Sequence, residues 1–223
     1  MKKLLTVLLT ILLVLSMAAC SSKKEEPAPS GNEPAATEPE PAPVPEPVAK
    51  EFSRGSWNEE RTVFTNPFSG IRIELSGNYS AVSESDLSSQ FLNDPDFDYS
   101  TADFSSMTTI PECMFIDSST GANANVQFEN LKAENAPGIT EEQYLDICFE
   151  ALKSRLEGGN IGDYYTLKLS GLDFLACDVD YDSGSIHVYQ RLAVRKVDVY
   201  MVVIVFTDVK GGAENDVMAG FFK

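Results

Sequence analysis

The chain of 223 residues predicts an α+β fold, a mostly antiparallel sheet of about six to eight strands packed with a long helix and a short C-terminal helix. One stretch, about 140–157, carries apolar residues at helical spacing. On both sides of it lie short runs with strand patterning, and the last of these, Val199 to Phe206, is apolar at successive positions. Strands, a long helix, a four-strand meander and a closing helix describe helices packed on an antiparallel sheet rather than repeated βαβ units.

The elements follow in order. Val63-Phe64-Thr65-Asn66 reads as a short strand that Pro67 ends, because proline lacks a ladder donor. Ile71-Arg72-Ile73-Glu74-Leu75 alternates strictly, with Ile71, Ile73 and Leu75 on the buried face. Ser76-Gly77-Asn78 supplies turn chemistry, and Tyr79 to Val82 continues as a paired strand. Leu87 and Phe91 lie one helical turn apart and mark a short helix; Asp94-Pro95 then opens a loop. Glu112 to Asp117 and Asn125 to Leu131 are strands, the second with Val126, Phe128 and Leu131 inward. In the long helix, Thr140 and Gln143 form a capping box. Leu145, Cys148, Phe149, Leu152 and Leu156 make its apolar stripe, and Gly158-Gly159 stops it. Tyr164–Leu169, Leu172–Asp182, Ile186–Val197 and Val199–Thr207 form the meander, the last central and covered on both faces. Glu214 to Phe222 closes the chain as a short helix with Val217 and Phe221 inside.

Residues 51–223 are thus expected to form one globular domain. What precedes them has another character. Lys2 and Lys3, the apolar run Leu4–Leu15, and the small residues before Cys20 have the order of an export signal over residues 1–19. From Leu4 to Ala19 the run is shorter than the ~20 residues that cross a bilayer as a helix. Val14-Leu15-Ser16-Met17-Ala18-Ala19-Cys20 resembles the bacterial lipobox, in which the cysteine is thioether-linked to diacylglycerol and becomes the first mature residue. Residues 20–50 carry prolines at 27, 29, 34, 39, 41, 43, 45 and 47 among Glu, Ala and Ser, a composition that stays extended and solvated. At ~3.1 Å per residue this tether would reach on the order of 95 Å when fully extended.

The opening of the globular part, Gly55-Ser56-Trp57, then Val63-Phe64-Thr65-Asn66, then Gly70-Ile71-Arg72-Ile73-Glu74-Leu75, resembles the start of a group of uncharacterised Gram-positive lipoproteins. Their domains look like the PsbP-like α/β sandwich. The group usually continues with Leu-Pro and a Trp, whereas here Ser76-Gly77-Asn78-Tyr79 follows Leu75. The resemblance implies a fold and carries no catalytic residue across, because fold analogy alone does not license function.

Charge and residue supply exclude several chemistries. A formal charge of −17 opposes binding to nucleic acid or an anionic lipid surface. Cys113, Cys148 and Cys177 sit among apolar neighbours and suit buried hydrophobes better than thiolates; no spacing selects a disulfide pair. No CxxC or Cys/His cluster supports zinc, and no cofactor is called for. His187 is the only histidine. With Ser183-Gly184 as a two-residue turn it lies opposite Asp180, an ordinary cross-strand pair more often than a catalytic one. Asp178, Asp180 and Asp182 share one strand face, and Asp94, Asp96 and Asp98 repeat that spacing. Such carboxylates can hold a hard cation, but the glycine and glutamate of a calcium loop are missing, so a solvated acidic face is the stronger reading. Gly158-Gly159-Asn160-Ile161-Gly162 runs from helix to strand, the reverse of a phosphate loop.

The expectation is a lipid-anchored extracytoplasmic binding or interaction module, attached through Cys20 and carrying an unknown protein or small-molecule ligand. The alternatives are a hydrolase using carboxylates with His187, and a self-associating surface protein.

Overall fold

The computed structural model describes residues 51–153, 159–209 and 212–223. The expected signal, tether and Cys20, together with Leu156 and Gly158, lie outside these residues.

A small antiparallel sheet comes first, from β1 (Ser56–Trp57), β2 (Val63–Asn66) and β3 (Ile71–Glu74). Then follow β4 (Tyr79–Ala81), α1 (Glu84–Leu92), β5 (Thr109–Asp117), β6 (Asn123–Asn130), α2 (Glu141–Lys153), β7 (Asn160–Ile161) and β8 (Tyr165–Leu169). The chain ends with β9 (Leu172–Ser183), β10 (Ile186–Val197), β11 (Tyr200–Asp208) and α3 (Ala213–Ala219). The large sheet has eight strands in the order β4-β5-β6-β11-β10-β9, with β7 and β8 both pairing along the outer side of β9. All of its pairings are antiparallel. The α+β class and the meander therefore stand as expected.

β11 is central and every residue in it is buried. Because side chains alternate, Tyr200, Val202, Ile204 and Phe206 enter one core, and Met201, Val203 and Val205 the other. The first core is closed by Phe64, Ile71 and Ile73 of the small sheet and Met218 of α3. The second is closed by Leu145, Cys148, Phe149 and Leu152 of α2. Each fully buried aliphatic or aromatic side chain contributes roughly 1.5–3 kcal/mol, so this one strand anchors both layers.

The capping box is reciprocal: the Thr140 N–H donates to Gln143 Oε1 at 3.1 Å and the Gln143 N–H to Thr140 Oγ1 at 3.2 Å. Glu141 accepts the Lys196 N–H at 3.0 Å and so pins the start of α2 to β10.

Three local expectations are corrected. β4 pairs with β5 in the large sheet, Tyr79 facing Asp117, so the Ser76–Asn78 turn moves the chain between sheets rather than closing a hairpin. Val217 is 51% exposed while Met218 is fully buried. The helix stops at Ala219, and Phe221–Lys223 runs beside β3, with the Glu74 N–H on Phe221 O and the Lys223 N–H on Arg72 O. The meander hairpin turns on Gly184 and Ser185, with Gly184 at φ 64°, so His187 faces Asp182 rather than Asp180. A slip of two residues keeps every side chain on its face and changes only its partner.

Candidate functional site

A β-bulge creates the most unusual polar site. Pairing of β5 with β6 passes from Pro111↔Gln127 to Cys113↔Val126, leaving Glu112 as the extra residue. Its side chain is fully buried. Oε2 accepts the Gly55 N–H at 2.7 Å and the Asn66 side-chain amide at 3.0 Å, and Arg54 Nε lies 3.6 Å from Oε1. That last contact is an ion pair without a hydrogen bond: Glu112 Oε1 and Arg54 Nε both lack a hydrogen-bond partner. Desolvation pushes the Glu112 carboxyl up to about 7, against the opposing pull of Arg54, Gly55 and Asn66.

Arg54 is held from several sides. Its terminal nitrogens donate to Glu84 at 3.1 Å and to the carbonyls of Pro111 and Glu112 at 3.2 Å each. Its guanidinium carbon stands 3.7 Å from the centroid of the Tyr99 ring. Asn66 turns its carbonyl oxygen to the Ser69 N–H and hydroxyl. Gly55 is required by close approach, since a Cβ there would lie 2.3 Å from Phe64 Cζ and 2.6 Å from Thr65 O.

The Gly-Ser-Trp and Phe-Thr-Asn segments thus meet at one clasp, a few residues after position 50. Beside it opens a cleft of about 410 Å³ lined by Trp57, Phe64, Val82, Leu87, Arg61 and Glu112, among others. The linear pattern did not mark Arg54, and the one signal for Glu112 was a glutamate set among the apolar residues of β5.

The residues singled out from sequence lie elsewhere. His187 Nδ1 is 2.6 Å from Asp182 and Nε2 3.7 Å from Asp180, so both ring nitrogens face carboxylates. Asp178 takes a bidentate contact from Arg191, at 2.7 and 3.1 Å, and the Tyr165 hydroxyl at 2.9 Å. Asp180 accepts from the Asn160 side chain at 3.3 Å. The three aspartates share a face; Asp180 and Asp182 both face His187 while Asp178 pairs with Arg191, and among the described residues no three His, Cys, Asp or Glu side chains gather as a metal-binding group. Asp94 and Asp98 accept backbone N–H groups two residues on, which makes them turn formers.

Cys113, Cys148 and Cys177 are free and buried. Cys113 belongs to the first core, the others to the second. Desolvation raises all three thiols, Cys148 to about 12 and Cys177 to about 11.

A second buried carboxyl lies under α2. Glu129 accepts the Thr109 hydroxyl at 2.8 Å and the Gln127 side-chain amide at 3.1 Å. Desolvation pushes it up to about 8, with Glu134 adding to the rise. A larger cleft of about 610 Å³ runs between α2 and residues 161–164, lined by Asp146, Phe149 and Tyr164. None of its acids is buried, so the smaller cleft over Glu112 is the better site.

No family model matches the chain, and no curated protein matches it. Solved structures do resemble it. LpqN, involved in cell envelope biogenesis of Mycobacterium tuberculosis, is 13% identical with a TM-score of 0.40, over 68% of this chain and 78% of its own. PA94 of Pseudomonas aeruginosa, a protein of unknown function and putative regulator, is 11% identical with a TM-score of 0.37, over 54% and 80%. Cyanobacterial PsbP (CyanoP) of Synechocystis sp. PCC 6803 is 8% identical with a TM-score of 0.40, over 72% and 90%. Among the described residues no helix is long and apolar enough to cross a membrane.

Proposed function

We propose that this chain is a lipid-anchored binding module at the extracytoplasmic face of a bacterial membrane, of the kind its opening motif resembles among Gram-positive lipoproteins. The binding surface is the cleft over Glu112. The observation that carries the reading is the clasp, in which Glu112 and Arg54 fasten the Gly55 segment beside a cleft, and the Pro-rich sequence after Cys20 supports its reading as the attached end. A buried carboxyl with one oxygen unbonded, close to a cleft, supports a recognition role for this end of the domain.

The address rests on Cys20 and is tested there. Cells expressing the protein are fed an alkyne fatty acid, and the purified chain is analysed by mass spectrometry. Label on a chain that begins at Cys20, lost in Cys20→Ala, is the expected result; an unlabelled wild type, or equal label in Cys20→Ala, overturns it.

A further inference from the structure

We propose that the cleft over Glu112 takes a neutral carbohydrate, a pyranose ring whose C–H face packs on Trp57 and whose hydroxyls meet Glu59 and Arg61. This rests on the reading of the cleft as the binding surface and assigns its ligand class. Phe64 and Leu87 form a buried floor, and Trp57 stands half-buried against Phe64, with ring centroids 5.3 Å apart at 58°. A half-open indole offers an apolar face and an N–H donor, which suits a ring that carries both C–H and O–H groups. The rim above it holds both signs of charge. Glu59 and Arg61 are exposed on the loop between β1 and β2, and Glu84 is exposed at the start of α1. Glu84 already pairs with Arg54 at 3.1 Å, and the buried Glu112 is sealed against the same arginine, so Glu59 and Arg61 are the charges this rim turns to a ligand. A cation would meet Arg61 and an anion would meet Glu59. A hydroxyl donates to the one and accepts from the other, so an uncharged polyol uses both.

The loop holds these groups in place before any ligand arrives. Asn58 Oδ1 accepts the Thr62 and Val63 N–H groups at 2.9 Å each, and the Arg61 N–H donates to Asn58 O at 2.9 Å. Arg61 has φ 54°, in the left-handed region that glycine adopts freely and a residue with a Cβ does not. Its guanidinium donates through Nη2 to Val82 O at 2.7 Å, and Val82 is itself part of the cleft wall. An arginine in a glycine position, fastened at the wall of a cleft, is strained backbone that fixes the direction of a guanidinium, and that fixing lowers the ordering cost of binding.

Trp57 is the only tryptophan and lines the cleft, so its emission is a built-in reporter. The full chain in phosphatidylcholine vesicles is titrated with glucose, maltose, cellobiose and lactose, and separately with glucosamine, glucuronate and cyclohexanol. The expected result is a saturable Trp57 change with a neutral sugar, none with cyclohexanol, and weaker binding of both charged sugars than of any neutral sugar that binds. A second preparation carries diglucosyl diacylglycerol in the vesicles. A Trp57 change on adding this lipid, with none from the free sugars, assigns a lipid headgroup as the source; a response to the free sugars assigns a free glycan. Arg61→Gly separates binding from folding: glycine takes φ 54° without strain, so the urea midpoint should not fall, while the sugar should bind at least about tenfold more weakly for want of a charge-assisted hydrogen bond. Glu59→Gln, exposed on the same loop, should weaken the sugar roughly two- to threefold. Undiminished sugar binding in Arg61→Gly, or a charged sugar or cyclohexanol binding as well as the neutral sugars, overturns the ligand class; so does the absence of a saturable change with every neutral sugar, free or in vesicles. Fatty-acid label at Cys20 is read independently, so failure of the ligand class and failure of the anchor are distinguishable.

Discussion

Replacing Glu129 by glutamine should remove the larger part of the loss of stability that the domain suffers as pH rises from 5 to 8. Glu129 sits on β6 beneath α2, with Thr109 of β5 and Gln127 of β6 as its hydrogen-bond donors and Met201 of β11 as its cross-strand neighbour. Tyr144 and Cys148 of α2 and Glu134 of the following loop are ionisable groups near it. Its carboxyl rises from 4.5 to about 8 in the folded chain. A raised acid contributes stability that is fully present below the unfolded value and lost as pH rises through the folded one. Between pH 4.5 and 8 the unfolded chain gives up this proton while the folded chain keeps it, at ~1.4 kcal/mol per pH unit. The limit is a loss of about 5 kcal/mol by pH 8 from this group alone. Glu112 adds a loss of the same sign that ends near pH 7.

Glutamine does not titrate, but it loses one acceptor against Gln127 or Thr109, a cost of about 1–2 kcal/mol. Glu129→Gln should therefore be slightly less stable than wild type at pH 5 and about 3 kcal/mol more stable at pH 8, with a crossing near pH 6. Urea unfolding of both proteins from pH 5 to 8.5 at fixed ionic strength, followed by Trp57 emission, measures the difference. Parallel pH profiles for the two proteins would refute the reasoning, because they would mean that Glu129 does not hold its proton through folding.

Gly55→Ala should destabilise by at least about 1–3 kcal/mol, since the new methyl meets Phe64 Cζ at 2.3 Å and Thr65 O at 2.6 Å and the backbone cannot yield while Glu112 holds the Gly55 N–H; a lowered urea midpoint measures it, and an unchanged midpoint refutes the clasp. The buried thiols at 113, 148 and 177 should react with a bulky disulfide reagent only on unfolding, so a labelling rate in native buffer equal to that in urea would contradict their burial.

Legibility followed the range of the interaction. The α2 stripe from Leu145 to Leu152, the Thr140–Gln143 box and the alternation of β3 are encoded within one or two turns or strands, and each appears where the pattern places it. On β6 the pattern showed Val126 and Phe128 inward, and both are buried. It did not show that Asn125, Gln127 and Glu129, on the opposite face, are buried as well, because that face is covered only when parts of the chain distant in sequence are folded against it. The His187 partner was displaced by two residues because Gly184, not Ser183, takes the first loop position, and sequence does not choose between adjacent turn residues.

The sequence by itself determined the α+β class, the central place of Val199–Phe206 and the long helix, and it set the expectation of an exported, lipid-attached chain. Those follow from periodicity, composition and short motifs, which are local. Tertiary structure alone decided the clasp. Arg54 and Glu112 stand 58 residues apart, and a one-residue bulge in β5 sets that carboxyl against the Arg54–Gly55 segment. Burial then gives the carboxyl its raised affinity for a proton, a property of its surroundings that the letter Glu does not contain.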